Sequence, residues 1–159
     1  MKFVDRLKRH KEMVLNFWED ISELIAFQER NPQQIFDELP KILVHGDIQH
    51  KNLQKDSKGN LHLIDFEDSY YDSPSWDLSR ALMDLEPYEM QSFVDKYLDK
   101  INIKDKKLLS RAIDRDFIIR VVTDSIGRQQ RLGIEGAKPY LDLYKQKYLK
   151  RIEDILEKW

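Results

Sequence analysis

A single change of pattern constrains the fold of this chain more than any other feature of its sequence. Apolar residues recur at helical spacing in the first and last parts of the chain, but residues 42–66 contain short β-like runs. Two of these runs, residues 52–55 and 61–64, flank the segment 56–60, in which Asp, Ser, Gly and Asn favour a hairpin turn. The sequence therefore predicts a mainly α fold with a small β-hairpin insert, in the α+β class.

The helical spacing predicts several helices that are separated by proline, glycine and polar residues. We expect the first to be one long amphipathic helix over residues 2–30, because Asn31-Pro32 cannot continue it. Residues 33–39 are expected to add a short helical turn, and residues 69–75 to form a loop. The other predicted helices cover residues 76–85, 88–100, 105–132 (as one helix or two) and 139–158, with Gly133 and Gly136 at the last junction.

Length and charge limit the classes of protein to which the chain can belong. It has 159 residues and a net charge of -2, which suits one domain over residues 1–159 and argues against a nucleic-acid partner. The absence of cysteine excludes a disulfide scaffold and a cysteine nucleophile, and it fits a reducing cytoplasm. The charged N-terminal residues are not expected to form a secretory signal. Apolar runs such as residues 117–119 are too short to cross a membrane, so no membrane partner is expected.

Three polar residues lie beside the predicted strands, in loops where side chains from different segments can converge on one cleft. They are Asp47, Asn52 and Asp65. Two carboxylates and one amide oxygen form a hard donor set, which suits Mg²⁺. A carboxylate that does not bind the metal can accept a proton from a hydroxyl group. This combination of residue types matches the requirements of phosphoryl transfer, in which positioning and charge neutralisation dominate.

The string HGDIQHKN at residues 45–52, followed by LIDFED at 63–68, resembles the signature of the aminoglycoside phosphotransferase and choline kinase superfamily. These proteins are small-molecule relatives of protein kinases, whose pattern is H-R-D-x-x-x-x-N followed by D-F-G. Gly46 replaces the Arg here, and Asp65-Phe66-Glu67 replaces D-F-G. The later Trp76-Asp77-Leu78 resembles the helix-opening Asp motif of the same superfamily.

The resemblance implies a role for each residue of the polar triplet. Asp47 is expected to be the catalytic residue that orients or deprotonates the hydroxyl of a small-molecule acceptor. Asn52 and Asp65 are expected to bind the cofactor Mg²⁺, and Asp65 also to bridge it to the phosphates of the co-substrate ATP. Acceptors in the superfamily include aminoglycosides, choline, sugars and homoserine.

Further residues are expected to support this site rather than to react. The resemblance implies that His45 braces the catalytic loop and that Asp77 bonds its backbone. Glu67, and with it Asp68, is expected to shape the site.

The resemblance also implies the C-terminal lobe of a protein-kinase-like fold, without the N-terminal β lobe. It divides the chain into leading helices at 1–40, catalytic and metal-binding loops with the hairpin at 41–75, and a helical subdomain at 76–159. No glycine precedes Gly46, so a glycine-rich phosphate loop is not expected before it. An excised fragment, a natural truncation and half of a split enzyme completed by another chain remain as explanations.

A second function is open on the same grounds. A half-kinase without the β lobe can be a non-catalytic interaction module, which docks on a partner or self-associates through the apolar surface that the lobe would cover.

Overall fold

The computed structural model describes residues 3–159, which are mainly helical and include two small antiparallel sheets. The sequence-based expectation of a mainly α fold with a small β insert is therefore confirmed. Within the described part of the chain, no helix is long and apolar enough to cross a membrane. The helices are α1 (Phe3–Arg9), α2 (Lys11–Leu15), α3 (Ile21–Arg30), α4 (Ser75–Leu82), α5 (Pro87–Lys100) and α6 (Lys106–Lys158), with 3-10 turns at Gln33–Phe36 and His50–Asn52.

The predicted single helix over residues 2–30 is wrong, because α1, α2 and α3 divide this region (residue 2 lies outside the described residues). The chain leaves helical geometry at His10, whose φ is -112° and ψ 33°. It breaks again before Asp20, which caps α3 by accepting a 2.8 Å hydrogen bond from the backbone N–H of Ser22. Such side chains compete with the helical backbone for its donors and can end a helix. The apolar spacing continues across these breaks, so it does not reveal them.

The end of the chain also differs from the expectation. A break is present at Gly133, where φ is 71° and ψ 170°, but the helix resumes directly afterwards and Pro139 lies inside it. The predicted start at residue 139 is therefore wrong. Proline removes one backbone donor but does not by itself prevent helical dihedrals, since its own φ is close to the helical value.

Two pairs of short strands form the sheets, and both are antiparallel. The predicted hairpin is confirmed, with Leu53 paired to Leu63. The first run instead pairs with residues 70–72, where Leu43 lies opposite Tyr71, so the predicted loop over 69–75 is wrong at these residues. Tyrosine favours strands, and an available partner strand decides its conformation. The strands are β1 (Ile42–Val44), β2 (Leu53–Lys55), β3 (Leu61–Leu63) and β4 (Tyr70–Asp72), paired as β1–β4 and β2–β3.

The hairpin turn is held by one carboxylate. Asp56 accepts hydrogen bonds from the backbone N–H groups of Lys58 and Asn60, at 2.9 and 2.8 Å. The side-chain amide of Asn60 donates a further bond, and the ring of His62 lies 3.1 Å from the same carboxylate. The bond from the Asn60 side chain, followed by that from His62, lowers the pKa of Asp56 to about 2. The turn therefore sets the register that carries the chain from β2 back along β3.

One compact unit comprises the described residues up to 35 together with residues 118–159. Its buried side chains include Phe17, Leu24 and Phe27. The side chain of Gln129 joins α6 to the start of the chain. It accepts a 2.8 Å hydrogen bond from Asn16 and donates one of equal length to the carbonyl of Met13.

The other compact unit comprises residues 36–117, and all the sequence motifs lie within it. That residues 1–159 form a single kinase-like lobe stays a prediction. Buried apolar side chains from β1, α4, α5 and the start of α6 supply the core of this unit and hold the strands and loops in place. They include Val44, Leu82, Met90, Val94, Leu109, Ile113 and Phe117.

Candidate active site

The loop that follows β1 is braced by its own histidine. His45 is buried, and its Nε2 lies 2.7 Å from the carbonyl oxygen of Ile64 at the end of the hairpin. A carbonyl can only accept, so Nε2 donates. The other ring nitrogen, Nδ1, accepts the backbone N–H of Asp47 at 3.3 Å. The ring also packs 4.6 Å from that of Phe66. His45 therefore links the two motifs, in the place that suits the bracing role predicted for it.

Asp77, in the first turn of α4, holds the backbone of the same loop. Its Oδ2 accepts the N–H of His45 at 2.7 Å, and its Oδ1 accepts the N–H of Gly46 at 2.9 Å. Hydrogen bonds to an ionised acceptor are stronger than neutral ones. The two oxygens of this one side chain thus hold two successive peptide groups in place. They thereby constrain the backbone that precedes Asp47.

The carboxylate of Asp47 is contacted from several sides and keeps 31% of its side chain exposed. Arg80 Nε donates to Oδ1 at 3.3 Å, Gln49 Nε2 donates to Oδ2, and Lys51 Nζ lies 3.6 Å from Oδ2. Partial burial alone would raise the pKa of Asp47, but the Gln49 hydrogen bond and the charges of Arg80 and Lys51 outweigh it. The pKa therefore lies below its usual value, so Asp47 is ionised at neutral pH.

A backbone hydrogen bond connects Asn52 with the residue that precedes Asp65. The carbonyl of Asn52 accepts the N–H of Ile64 at 3.0 Å, so the residue before Asp65 is tied to Asn52. The buried amide of Asn52 donates from Nδ2 to the carbonyl of Asp47 at 2.9 Å and to its carboxylate at 3.3 Å. With that nitrogen engaged, Oδ1 is the atom of the amide that can coordinate a metal.

Asp65 is exposed and has a φ of 68°. Left-handed backbone is uncommon outside glycine, although Asp adopts it more readily than most residues, and such positions cluster at functional sites. The exposed Asp65 carboxylate and the Asn52 Oδ1 are hard oxygen donors, which fit Mg²⁺ chemically.

Two protein oxygens do not complete the coordination of that ion. Throughout residues 3–159, no group of three or more His, Cys, Asp or Glu side chains could hold a metal. A site built on Asn52 and Asp65 would take its other oxygens from phosphate and water. Glu67 is exposed, and its supporting role stays a prediction.

Sequence reasoning missed three side chains that shape this site: Gln49, Arg80 and Asp84. Gln49 lies within the HGDIQHKN string, at one of the positions that the kinase pattern leaves open. Arg80 and Asp84 follow Asp77 by three and seven residues, a spacing that would return to one face if the predicted helix over residues 76–85 reached Asp84. That spacing is the signal that could have identified them. In the structure α4 ends at Leu82 and Asp84 lies in the turn that follows.

The site consists of a braced aspartate loop that is followed by a hairpin and a second aspartate. Residues 4–102 match the family model of APH, the phosphotransferase enzyme family, and the match includes all the motif residues described above. Because the match covers more than half of the chain, the protein belongs to this family, as the motifs predicted. No curated protein and no solved structure matches the chain significantly.

Proposed function

We propose that this chain carries the catalytic and metal-binding residues of an ATP-dependent phosphotransferase. The reaction is transfer of the γ-phosphoryl group of Mg·ATP to the hydroxyl of a small molecule. The observation that supports it most is the state of Asp47, an ionised and partly exposed carboxylate held in one orientation, five residues before a buried Asn52. Membership of the phosphotransferase family gives the same reaction class.

Asp47 serves as the proton acceptor. Its exposed part receives the acceptor hydroxyl, and the carboxylate takes the proton as the hydroxyl oxygen bonds to the γ-phosphorus and ADP leaves. A carboxylate that is already ionised and oriented needs no rearrangement before this step, which is how positioning lowers a barrier.

Asn52 and Asp65 would hold the metal through Oδ1 and a carboxylate oxygen. Mg²⁺, when bound, neutralises charge on the phosphates. The Asn52 amide also donates to the carbonyl and the carboxylate of Asp47. The residue that would hold the metal thereby also holds the proton acceptor, which couples the two halves of the site.

We further propose that the chain forms a kinase-like C-terminal lobe and that another segment or chain supplies the cover over ATP. Residues 3–40 contain helices and a 3-10 turn, and no strand is present among them. The side chains of the cover that contact the nucleotide would then come from outside residues 1–159. The acceptor is a hydroxyl compound of the kind used in this superfamily.

A second candidate function, a non-catalytic interaction module, is supported by an apolar pair on the β1–β4 sheet. Leu43 and Tyr71 are cross-strand partners, so they lie on one face, and they are 57% and 73% exposed. Such exposed apolar pairs favour docking or self-association. Unlike the phosphotransferase proposal, this function requires neither Asp47 nor Asp65.

The location of the nucleotide can be tested by amide chemical shifts during titration with ATP. We expect Mg·ATP to shift the signals of residues 50–52 and 64–66, since these surround Asn52 and Asp65, and to leave the turn residues 57–59 in place. ATP with a chelator is the control, and it should shift residues 64–66 far less. Equal shifts with and without Mg²⁺, or shifts confined to other residues, would contradict the proposed metal site.

A further inference from the structure

Three side chains from α4 and the turn after it reach the catalytic loop, one after another. Asp77 binds the backbone at the start of the loop. Arg80 binds Asp47 and Gln49 in its middle. Asp84 binds its end, accepting the N–H of His50 at 2.6 Å. The spacing of three residues puts Asp77 and Arg80 on one face of α4, and Asp84 follows in the turn after the helix.

Arg80 uses each nitrogen of its guanidinium group for a different partner. Nε donates to Asp47 Oδ1 at 3.3 Å, Nη2 to Gln49 Oε1 at 2.7 Å, and Nη1 to Asp84 Oδ1 at 3.4 Å. Gln49 in turn donates from its own amide nitrogen to the other oxygen of Asp47. The two side chains therefore hold the carboxylate of Asp47 from both of its oxygens.

The exposure of Arg80 separates this cluster from an ordinary surface ion pair. The Arg80 side chain is 17% exposed, and that of Asp84 is 23% exposed. Exposed pairs are screened by water and hold their partners weakly, whereas a planar guanidinium that is shielded and bonded along its edge fixes direction as well as charge. Lysine carries its three donors on a single nitrogen, so it cannot reach these three partners from a rigid planar group as arginine does.

We propose that Arg80 is a positioning residue that fixes the direction of the Asp47 carboxylate and ties it, through Asp84, to the end of the catalytic loop. The inference rests on the proposed phosphoryl transfer for its effect on turnover. Its effect on the loop follows from the contacts alone and can be measured without any substrate. Arg80 acts through Asp47, to which its Nε donates.

Two readouts on Arg80→Met test this role. Hydrogen exchange at the His50 amide, which donates to Asp84, should accelerate about tenfold once Asp84 loses its partner. In the enzyme that is completed by the segment or chain covering ATP, kcat should fall about a hundredfold, with the KM for ATP nearly unchanged, because misplacement of Asp47 affects the chemical step. A purely structural role would change stability and KM without this split. Arg80→Lys keeps the charge and should recover only part of both losses.

Lys51→Met is the matched control. Lys51 is 59% exposed and also lies against Asp47, but among the described residues it forms no hydrogen bond or ion pair with Gln49 or Asp84. Its removal should leave exchange at the His50 amide unchanged and should lower kcat less than Arg80→Met does. The inference is overturned if the His50 amide exchanges at the wild-type rate in Arg80→Met, or if both variants lose kcat equally.

The variants also separate this inference from the proposed function. If Arg80→Met fails to fold, Arg80→Lys gives the same decision, since unchanged exchange in it would overturn the inference. An enzyme that is completed by the segment or chain covering ATP and still transfers no phosphoryl group would contradict the proposed function, while accelerated exchange at His50 in Arg80→Met would still support the positioning of the loop by Arg80.

Discussion

Asp47→Asn is expected to lower kcat about a thousandfold, because an amide cannot accept the proton of the attacking hydroxyl. The substitution preserves the size of the side chain and leaves Asn52 and Asp65 in place. The affinity for Mg·ATP should therefore change little. Rates of label transfer from γ-labelled ATP to a hydroxyl acceptor, together with nucleotide titrations, measure the two effects separately.

Asp56→Asn is the control for this substitution. Asp56 is a carboxylate of the same compact unit, but it serves the hairpin turn and does not touch the loop. It should leave kcat at the wild-type level. If Asp47→Asn kept wild-type turnover, or if its loss were matched by Asp56→Asn, Asp47 would not be the proton acceptor.

Gly46→Ala is expected to be the most destabilising substitution in the loop, at about 3 kcal/mol of the free energy of unfolding. Two causes add. The φ of Gly46 is +86°, which side-chain-bearing residues rarely adopt, and a Cβ atom there would lie 2.4 Å from the backbone carbonyl oxygen of Asp68. A backbone carbonyl cannot move away from the added atom as the end of a flexible side chain can. Urea unfolding of the variant measures the loss.

Gly59→Ala isolates one of these causes. Gly59 has nearly the same φ, +87°, but its nearest neighbour to an added Cβ would be the flexible side chain of Lys55, at 3.6 Å. We expect this variant to lose about 1 kcal/mol, from the backbone conformation alone. Equal losses in the two variants would show that the contact between Gly46 and Asp68 does not constrain the loop.

The sequence predicted the local features that depend on few residues. The hairpin followed from the turn residues around Asp56 and Gly59, and the loop followed from the spacing of Asp47 and Asn52. His45 and Asp77 each form hydrogen bonds with the backbone of the loop or the hairpin, and the supporting roles that the motif implies for them stay predictions. Such features depend on residues that are close together in the chain, so a single sequence is enough to predict them.

The features that sequence reasoning missed depend on tertiary partners. The strand at residues 70–72 exists because β1 lies beside it, and no pattern within residues 69–75 predicts that pairing. The breaks around α2 do not interrupt the apolar spacing, since each short helix still buries one face. Arg80 was missed because its partner Asp47 is 33 residues away in sequence, and only the fold brings the two together.

The metal site on Asn52 and Asp65 can be tested by calorimetric titration of this chain with Mg·ATP, beside the same titration of Asp65→Asn. We expect the wild-type chain to bind in a manner that requires Mg²⁺ and that Asp65→Asn loses, because the amide cannot supply the charge that holds the metal against the phosphates. Binding that survives unchanged in Asp65→Asn would contradict the assigned metal site. The absence of binding by the wild-type chain at millimolar ATP would contradict a working half-site and favour the interaction module.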